Sequence, residues 1–247
     1  METSDGYANR DLVYIHDDGF NSYALDAAPA LLKLLREHEI GSTGLVIDLG
    51  SGTGRWVKEL ADAGYNCRGI EQSQEMVLYA KTIVPKVLFR IASVFETLLP
   101  PCSAVTSMGE CLNYRFGGTR SSKAALKELF QNVYRALEPG GVFIFDIATP
   151  ARAPKGKPRV QRREGKDWAI VSVTTKIPGG LRRSMVFFRR YGELYRRGEE
   201  THDLSLYAVT DILAMLRRCG FKARRLPAKG YFQEVPGMAW FLAKKAD

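Results

Sequence analysis

The sequence predicts an α/β fold, a doubly wound, Rossmann-like and mostly parallel sheet of seven strands, with an antiparallel β insertion after the fifth. Three observations predict it. Apolar runs alternate with amphipathic stretches from residue 45 to residue 148, as strands do when helical crossovers join them in a right-handed sense. The first run, VIDL at 46–49, opens directly into Gly50, Gly52 and Gly54 and then a helix-like stretch. From Trp168 to Tyr207 the text is strand-like and holds no helical segment.

Each element follows in order. Residues 25–39 put Ala28, Leu31, Leu34 and Leu35 on one face of an amphipathic helix, ended by Gly41 and Gly44. LVIDLG is a strand, GRWVKELADAG a helix closed by Gly64, and YNCRGIE a strand. SQEMVLYAKTI is a helix with Ser73 as its N-cap. KVLFRIA and SAVTSMG are strands, SSKAALKELFQNVYRAL is a helix, and EPGG stops it. GVFIFDIA is apolar on both faces, as a buried parallel strand is. Residues 151–166 are rich in Pro, Lys and Arg and predict a loop. DWAIVSVTTKI, LRRSMVFFRRYG and ELYRRGEETHDLSLY predict three antiparallel strands. TDILAMLRRCG is a helix with Thr210 as N-cap and Gly220 just past its end. FKARRLPA and GMAWFLAKK close the sheet as an antiparallel pair. The whole is one domain, residues 1–247. It comprises N-terminal lid helices (1–40), a core (41–150), the insertion (151–207) and a C-terminal completion of the sheet (208–247).

Composition excludes several classes. The chain has 247 residues, 45% of them hydrophobic, enough for a full core. No apolar run approaches the roughly 20 residues of a membrane helix, so no membrane partner is expected. The polar, acidic N-terminus is unlike a signal or transit peptide. Cys67, Cys102, Cys111 and Cys219 are scattered without a CxxC pair. That pattern fits reduced thiols and a cytoplasmic location better than a disulfide frame or a zinc site; no metal is expected. The net charge is +9, and residues 151–200 hold 14 of the 36 basic residues but 5 of the 27 acidic ones. This fifth of the chain therefore carries the whole excess.

A glycine-rich first strand-to-helix turn is where such sheets take ligands, beyond the carboxyl ends of the strands. A dinucleotide fingerprint needs G-x-G-x-x-G; here the third glycine comes one residue early and Arg55 holds its place. A Walker loop is absent. The observed form is D-x-G-x-G-x-G, from Asp48 to Gly54.

That form, with two later segments, resembles the class I S-adenosylmethionine-dependent methyltransferases. VIDLGSGTGRW is similar to the family's first motif, GIEQSQEM to its second, and LEPGGVFIFD to its entry into the fifth strand. The resemblance covers residues 45–147 and, in topology alone, 208–245. It implies that the glycine turn lies under the methionine and ribose of S-adenosylmethionine, with S-adenosylhomocysteine as product. Gly50, Ser51, Gly52 and Gly54 then approach the cofactor. Asp48 orients the loop or reaches the cofactor's ammonium group. Glu71, ending the second strand, accepts both ribose hydroxyls, and Gln72 lies beside the adenosine. Many relatives carry Asp where this chain has Ser93, so Ser93, the Val94 amide and Phe95 are alternative adenine contacts.

After the fourth strand, Met108 and Gly109 touch the cofactor through backbone. Glu110 is a general base, binds an amine substrate or is simply solvated; Asn113 and Tyr114 orient an acceptor. Cys102 and Cys111 read as small buried hydrophobes rather than nucleophiles. Tyr7, Tyr14, His16, Phe20 and Tyr23 crowd an N-terminal segment that relatives fold over the cofactor. Tyr14 and His16 are the candidates beside the sulfonium, His16 also as a catalytic residue. His202 is a second candidate base, and Tyr207 a substrate contact, where the insertion returns to the core.

The reading is therefore in-line methyl transfer to a small-molecule acceptor, the protein mainly positioning the reactants. Arginines interleaved with Trp168, Phe187, Phe188, Tyr191 and Tyr195 leave alternatives for the basic insertion: nucleic acid, an anionic substrate, an acidic surface, or a homodimer contact through its apolar centre. A nucleic-acid or protein methyltransferase and a non-catalytic cofactor-binding protein are the rival functions. The glycine spacing disfavours a nicotinamide oxidoreductase.

Overall fold

Short strands with apolar side chains on both faces need cover on both faces, and the amphipathic helices between them supply it. The computed structural model describes residues 10–115, 123–227 and 229–247. The chain opens with helices α1 (Arg10–Phe20) and α2 (Ser22–Glu37). It continues through β1 (Leu45–Leu49), α3 (Arg55–Asp62), β2 (Asn66–Glu71), α4 (Gln74–Ile83), β3 (Leu88–Ile91) and β4 (Cys102–Ser107). Then come α5 (Lys123–Ala136) and β5 (Leu137–Ala148). The insertion is β6 (Arg159–Glu164), β7 (Trp168–Ile177), β8 (Gly180–Tyr191) and β9 (Leu194–Ser205). α6 (Val209–Arg218), β10 (Lys222–Leu226) and β11 (Met238–Lys244) complete the chain.

The main sheet has seven strands in the order β10-β11-β5-β4-β1-β2-β3. It is parallel except for β11, which runs antiparallel to both β5 and β10. This is the predicted architecture. Alternate strand residues feed two cores. Ile47, Leu49, Val105, Phe143 and Phe145 face α5 and α6, where Phe143 and Phe145 stack with centroids 4.3 Å apart. Val46, Cys67, Ala104, Val142 and Ile144 face α2 and α3. Each fully buried aliphatic or aromatic side chain contributes about 1.5–3 kcal/mol, so the two faces hold the sheet between helices.

Four details depart from the sequence reading. The first predicted helix begins earlier, at Ser22, and α1 precedes it. Thr210 does not cap α6: the helix starts at Val209 with Ala208 at the cap position and no side-chain cap bond. Residues 151–166 are not all loop, because β6 pairs with β7 from Arg159 to Glu164. The insertion therefore has four strands, not three. The charged run concealed β6 because its inward side chains are themselves polar. Other expectations hold: the Ser73 hydroxyl accepts from the Met76 amide, and Gly220 follows α6 with φ 102°. Tyr7, the expected helix start at Ser121 and the expected strand end at Ala228 lie outside the described residues.

α1 is fastened on two sides. Towards the core, Arg55 donates through Nε to Asp17 at 2.7 Å, its Nη2 reaches the second Asp17 oxygen, and the Tyr79 hydroxyl donates to Asp17 at 2.9 Å. Towards the insertion, Arg196 grips Asp11 with two hydrogen bonds, and Trp168 Nε1 donates to Asp18 at 2.6 Å. Leu12, Ile15, Trp168, Ile170 and Phe187 form a small apolar core beneath it. α2, by contrast, is buried against the main sheet and is part of the core.

The turn after β1 depends on Gly50. Its φ is +71°, and a Cβ there would stand 2.1 Å from the Cys111 sulfur. Gly50→Ala should therefore lower unfolding free energy by about 2 kcal/mol or more. A lower urea midpoint at constant slope is the expected reading. An unchanged midpoint would show that the turn relaxes freely.

Candidate active site

The carboxyl ends of β1, β2, β4 and β5 open into a cavity of roughly 500 Å³. Its floor is the glycine turn, α1 covers one side, and the inner face of the insertion forms the roof.

The floor is acidic and buried. Asp48 accepts a 2.8 Å bond from Thr106 Oγ1, which itself accepts from Trp56 Nε1 at 2.9 Å. Burial pushes the Asp48 carboxyl up to about 7. Glu71 accepts the Gly52 amide at 3.0 Å on one oxygen and the Ser73 amide at 2.9 Å on the other. Burial raises its pKa against the opposing effect of these amides. Each of its oxygens retains a further lone pair for a ligand hydroxyl. Ser51 is buried and its hydroxyl has no hydrogen-bond partner among the described residues. Nothing approaches within 4 Å of where a Gly52 Cβ would be, so a ligand can lie against that backbone. Gly54 sits at the α3 cap in the left-handed region. Gln72, Val94, Met108 and Gly109 also line the cavity.

Asp146, ending β5, organises the far side. It accepts the Gly109 amide at 2.8 Å, the Glu110 amide at 2.9 Å and the Tyr23 hydroxyl at 2.6 Å. Burial raises it to about 6 despite these three donors. The turn it holds puts Glu110 at φ 64°, a strained value for a residue with a side chain. Glu110 then reaches the roof: Arg152 Nε donates to one oxygen at 2.5 Å and Arg183 Nη2 to the other at 2.8 Å.

Several expected residues are placed otherwise. Burial raises Glu110, but Arg183 and Arg152 outweigh it and lower its pKa. A carboxylate shared by two guanidiniums has little proton affinity, which argues against the general-base expectation, and it is buried rather than solvated. Asn113 does not orient an acceptor. Its amide nitrogen donates to the carbonyls of Ala148 and Ser205, and its oxygen accepts the Ala148 amide, all in the core. Tyr207 belongs to the apolar core beneath the sheet. Tyr14 faces the insertion, donating to Asp167 at 3.3 Å with the Arg189 guanidinium 3.7 Å from its ring, outside the cavity lining. Ser93 accepts the Phe95 amide in a turn, and Phe95 packs on the core; of that trio Val94 alone lines the cavity.

His16, Tyr114 and His202 do line it, with the Tyr114 and His202 rings edge to face at 5.3 Å. Burial, then Arg183 and His16, lower His202 to about 4, and burial lowers His16. Both imidazoles are thus neutral near pH 7. Cys111 lies amid Asp48, Glu71 and Asp146, and burial with these acids raises its thiol, so it is no nucleophile. Burial likewise raises Cys102 to about 12.

The residues missed by sequence reasoning are Tyr23, Asp146, Arg152 and Arg183. Period-two alternation along β8 would have flagged Arg183, which shares an inward face with Met185 and Phe187. No local pattern marks Arg152. Among the described residues there is no cluster of three or more His, Cys, Asp or Glu fit for a metal, and no helix long and apolar enough to cross a membrane.

A seven-stranded sheet with its single reversed strand, a bare glycine turn and a carboxylate at the end of β2 define a Rossmann-like α/β fold with a cavity at the carboxyl ends of its strands. Comparison with known proteins makes the class specific. Residues 46–141 match a family described as a methyltransferase domain. The chain is 28% identical over 201 residues to a Bacillus subtilis (strain 168) protein named "Putative methyltransferase YqeM", spanning 78% of this chain and 79% of that one. In structure it is similar to an S-adenosylmethionine-dependent methyltransferase from Clostridium acetobutylicum ATCC 824, with TM-score 0.81 and 20% identity, covering 96% of this chain and 98% of the other. It is also similar to the sugar N-methyltransferase KedS8 from Streptoalloteichus sp ATCC 53650, with TM-score 0.80 and 20% identity over 100% and 97% of the two chains. Residues 46–141 thus match a methyltransferase domain, and the fold of the chain is that of S-adenosylmethionine-dependent methyltransferases.

The Glu110 bridge has a measurable consequence. Glu110→Gln leaves two part-buried guanidiniums without their anion and should cost about 3 kcal/mol at neutral pH. Because Glu110's pKa is lowered in the fold, its stabilisation is complete above the ordinary carboxylate range near 4.5 and is lost as pH falls below it. The gap between variant and parent should therefore narrow below about pH 4. Denaturant titrations at pH 7 and pH 3.5 check this; a gap that does not change with pH would contradict it.

Proposed function

We propose that the protein transfers a methyl group from S-adenosylmethionine to a small-molecule acceptor held between α1, the turn after β4 and the inner face of the insertion. The observation that carries this reading is the cavity that the glycine floor shares with the insertion roof. Its volume of roughly 500 Å³ is in the range of small-ligand sites. α1 is tied to both walls, which leaves no open groove for a polymer along that side.

In this reading Glu71 accepts the ribose hydroxyls, Ser51 and the Gly52 backbone lie against the nucleoside, and Asp48 faces the ammonium group. Val94 and Gln72 flank the adenine side, while Met108 and Gly109 border the reacting end. The cofactor supplies an electrophilic methyl, whose bond to sulfur breaks with its electrons left on sulfur as an acceptor lone pair attacks in line. The chain's own residues position the acceptor and exclude water. Neutral His202 and Tyr114 can hydrogen-bond it, but with His202 near 4 the acceptor proton leaves to solvent rather than to a strong protein base. The structurally similar KedS8 is a sugar N-methyltransferase, which supports a small-molecule acceptor.

The charge of the insertion also supports a small acceptor over nucleic acid. Many of its arginines already have acidic partners: Arg162 with Glu164, Arg182 with Asp203, Arg189 with Asp167, Arg196 with Asp11 and Arg197 with Glu199. Such pairing leaves a weaker field for phosphates than the composition implies.

Titration with S-adenosylhomocysteine and, separately, NAD tests the assignment. The first should bind and the second should not. Glu71→Ala should weaken S-adenosylhomocysteine about 100-fold, since two charge-assisted hydrogen bonds are lost; near-normal affinity would refute the ribose role. Affinity should also rise with pH. Asp48 is largely protonated below about 7 in the unliganded protein, and an ammonium group favours its ionised form. Between pH 6 and pH 8 the gain should be about tenfold, and Asp48→Asn should flatten it. A flat profile in the parent would remove Asp48 from the ammonium.

A further inference from the structure

The inner face of the insertion carries a polar row that the cofactor does not explain. Strand register sets Arg159 opposite Thr174, Thr174 opposite Arg183, and Arg183 opposite His202. Side chains directly opposite in such pairs stand about 5 Å apart, so the four form one line across the sheet. Arg152 closes on this line from the turn after β5: its carbonyl accepts from Arg159 Nη1 at 3.4 Å. Three guanidiniums thus gather around one carboxylate, Glu110, whose two oxygens are taken by Arg152 and Arg183. Glu200 lies one row further along, opposite Met185, and no ion pair joins it to these arginines among the described residues.

Two further observations point to a missing anion. Arg159 Nε and Thr174 Oγ1, on directly paired positions, are both buried and have no hydrogen-bond partner among the described residues. Thr174 is wholly inaccessible. Buried donors are ordinarily satisfied, so two adjacent orphans mark a place where something binds. The pKa of Arg159 is lowered by burial and then by Arg152 and Arg183, as expected where cations outnumber anions. Arg152 and Arg183 themselves line the cavity.

We propose that Arg159, Thr174, Arg183 and Arg152 form a subsite for an anionic group of the methyl acceptor, a carboxylate or a phosphoryl group. The inference rests on the methyl-transfer reading for the word acceptor, while the anion site stands on its own geometry. Arg152 and Arg183 face the acidic floor across the cavity, and Arg159 and Thr174 stand beside them in the same row, outside its lining. A cationic cofactor below and an anionic acceptor above would each meet the opposite charge, and specificity between acceptors would follow from the group that reaches the row.

The test is calorimetric titration of the full chain in low salt with inorganic phosphate and, separately, with malonate, each with and without S-adenosylhomocysteine. Saturable binding of at least one anion is expected. Arg159→Gln should weaken it about tenfold or more, and Thr174→Val, which keeps the shape and removes the hydroxyl, about fivefold. Arg162→Gln, on the outer face of the same strand, should leave it unchanged. Malonate alone would identify a carboxylate, phosphate alone a phosphoryl group, and both a site that reads charge. No saturable binding, or equal loss in the Arg159 and Arg162 variants, would overturn the proposal. Anion binding without S-adenosylhomocysteine binding would support the subsite and strike the methyl-transfer reading. The reverse would strike the subsite alone.

Discussion

The Asp146 carboxylate is the contact on which the rest of the site depends. One buried group accepts from the Gly109 and Glu110 amides and from Tyr23. It therefore joins the end of β5, the turn after β4 and the start of α2. Those bonds help hold Glu110 in a left-handed conformation, and Glu110 ties the core to Arg152 and Arg183 of the roof. Cavity floor and roof are joined through one side chain whose own burial is unfavourable. Such strain survives only where surrounding structure over-determines it, and here three donors from separate segments do so.

Charge is layered across the cavity. Asp48, Glu71 and Asp146 stand at the ends of adjacent or near-adjacent strands, and burial raises the pKa of each. Three carboxylates that resist ionisation alone would ionise more readily beside a cation, so this floor favours a positively charged ligand over a neutral or anionic one. Arginines dominate the opposite wall. The same field that attracts a sulfonium from below disfavours a phosphate-bearing dinucleotide in its place, consistent with a glycine turn that departs from the dinucleotide spacing.

What was legible in the sequence was local. The glycine turn, Glu71 at its strand end, the Ser73 cap and the apolar β5 each lie within a few consecutive residues, and each is where the text put it. Long-range pairings were not legible. Glu110 meets Arg152 and Arg183 from 42 and 73 residues away, and only folding shows that its charge is spent there. Asn113 and Tyr207 misled for the opposite reason. Their positions after strand ends suggested a pocket, but tertiary packing turned both into the core. The positive charge of the insertion was read from a window that excluded its partners, since Asp11, Asp18 and Glu110 all lie upstream of it. β6 was missed because its alternation is written in arginine and glutamine, and hydropathy does not register a strand whose inward face is polar.

The double fastening of α1 bears on turnover. A helix tied by carboxylates to Arg55 beside the glycine turn on one edge and to the insertion on the other is held at both edges. Admission of ligands requires one seam to part while the other holds. The seam to the core is Asp17 with Arg55 and Tyr79; the seam to the insertion adds the apolar contacts of Leu12 and Ile15 with Trp168 and Phe187. The core seam is mainly ionic and the insertion seam is reinforced by burial, so the two respond oppositely to solvent. Salt loosens the first and strengthens apolar burial at the second. The two edges of α1 thus answer to different solvent conditions.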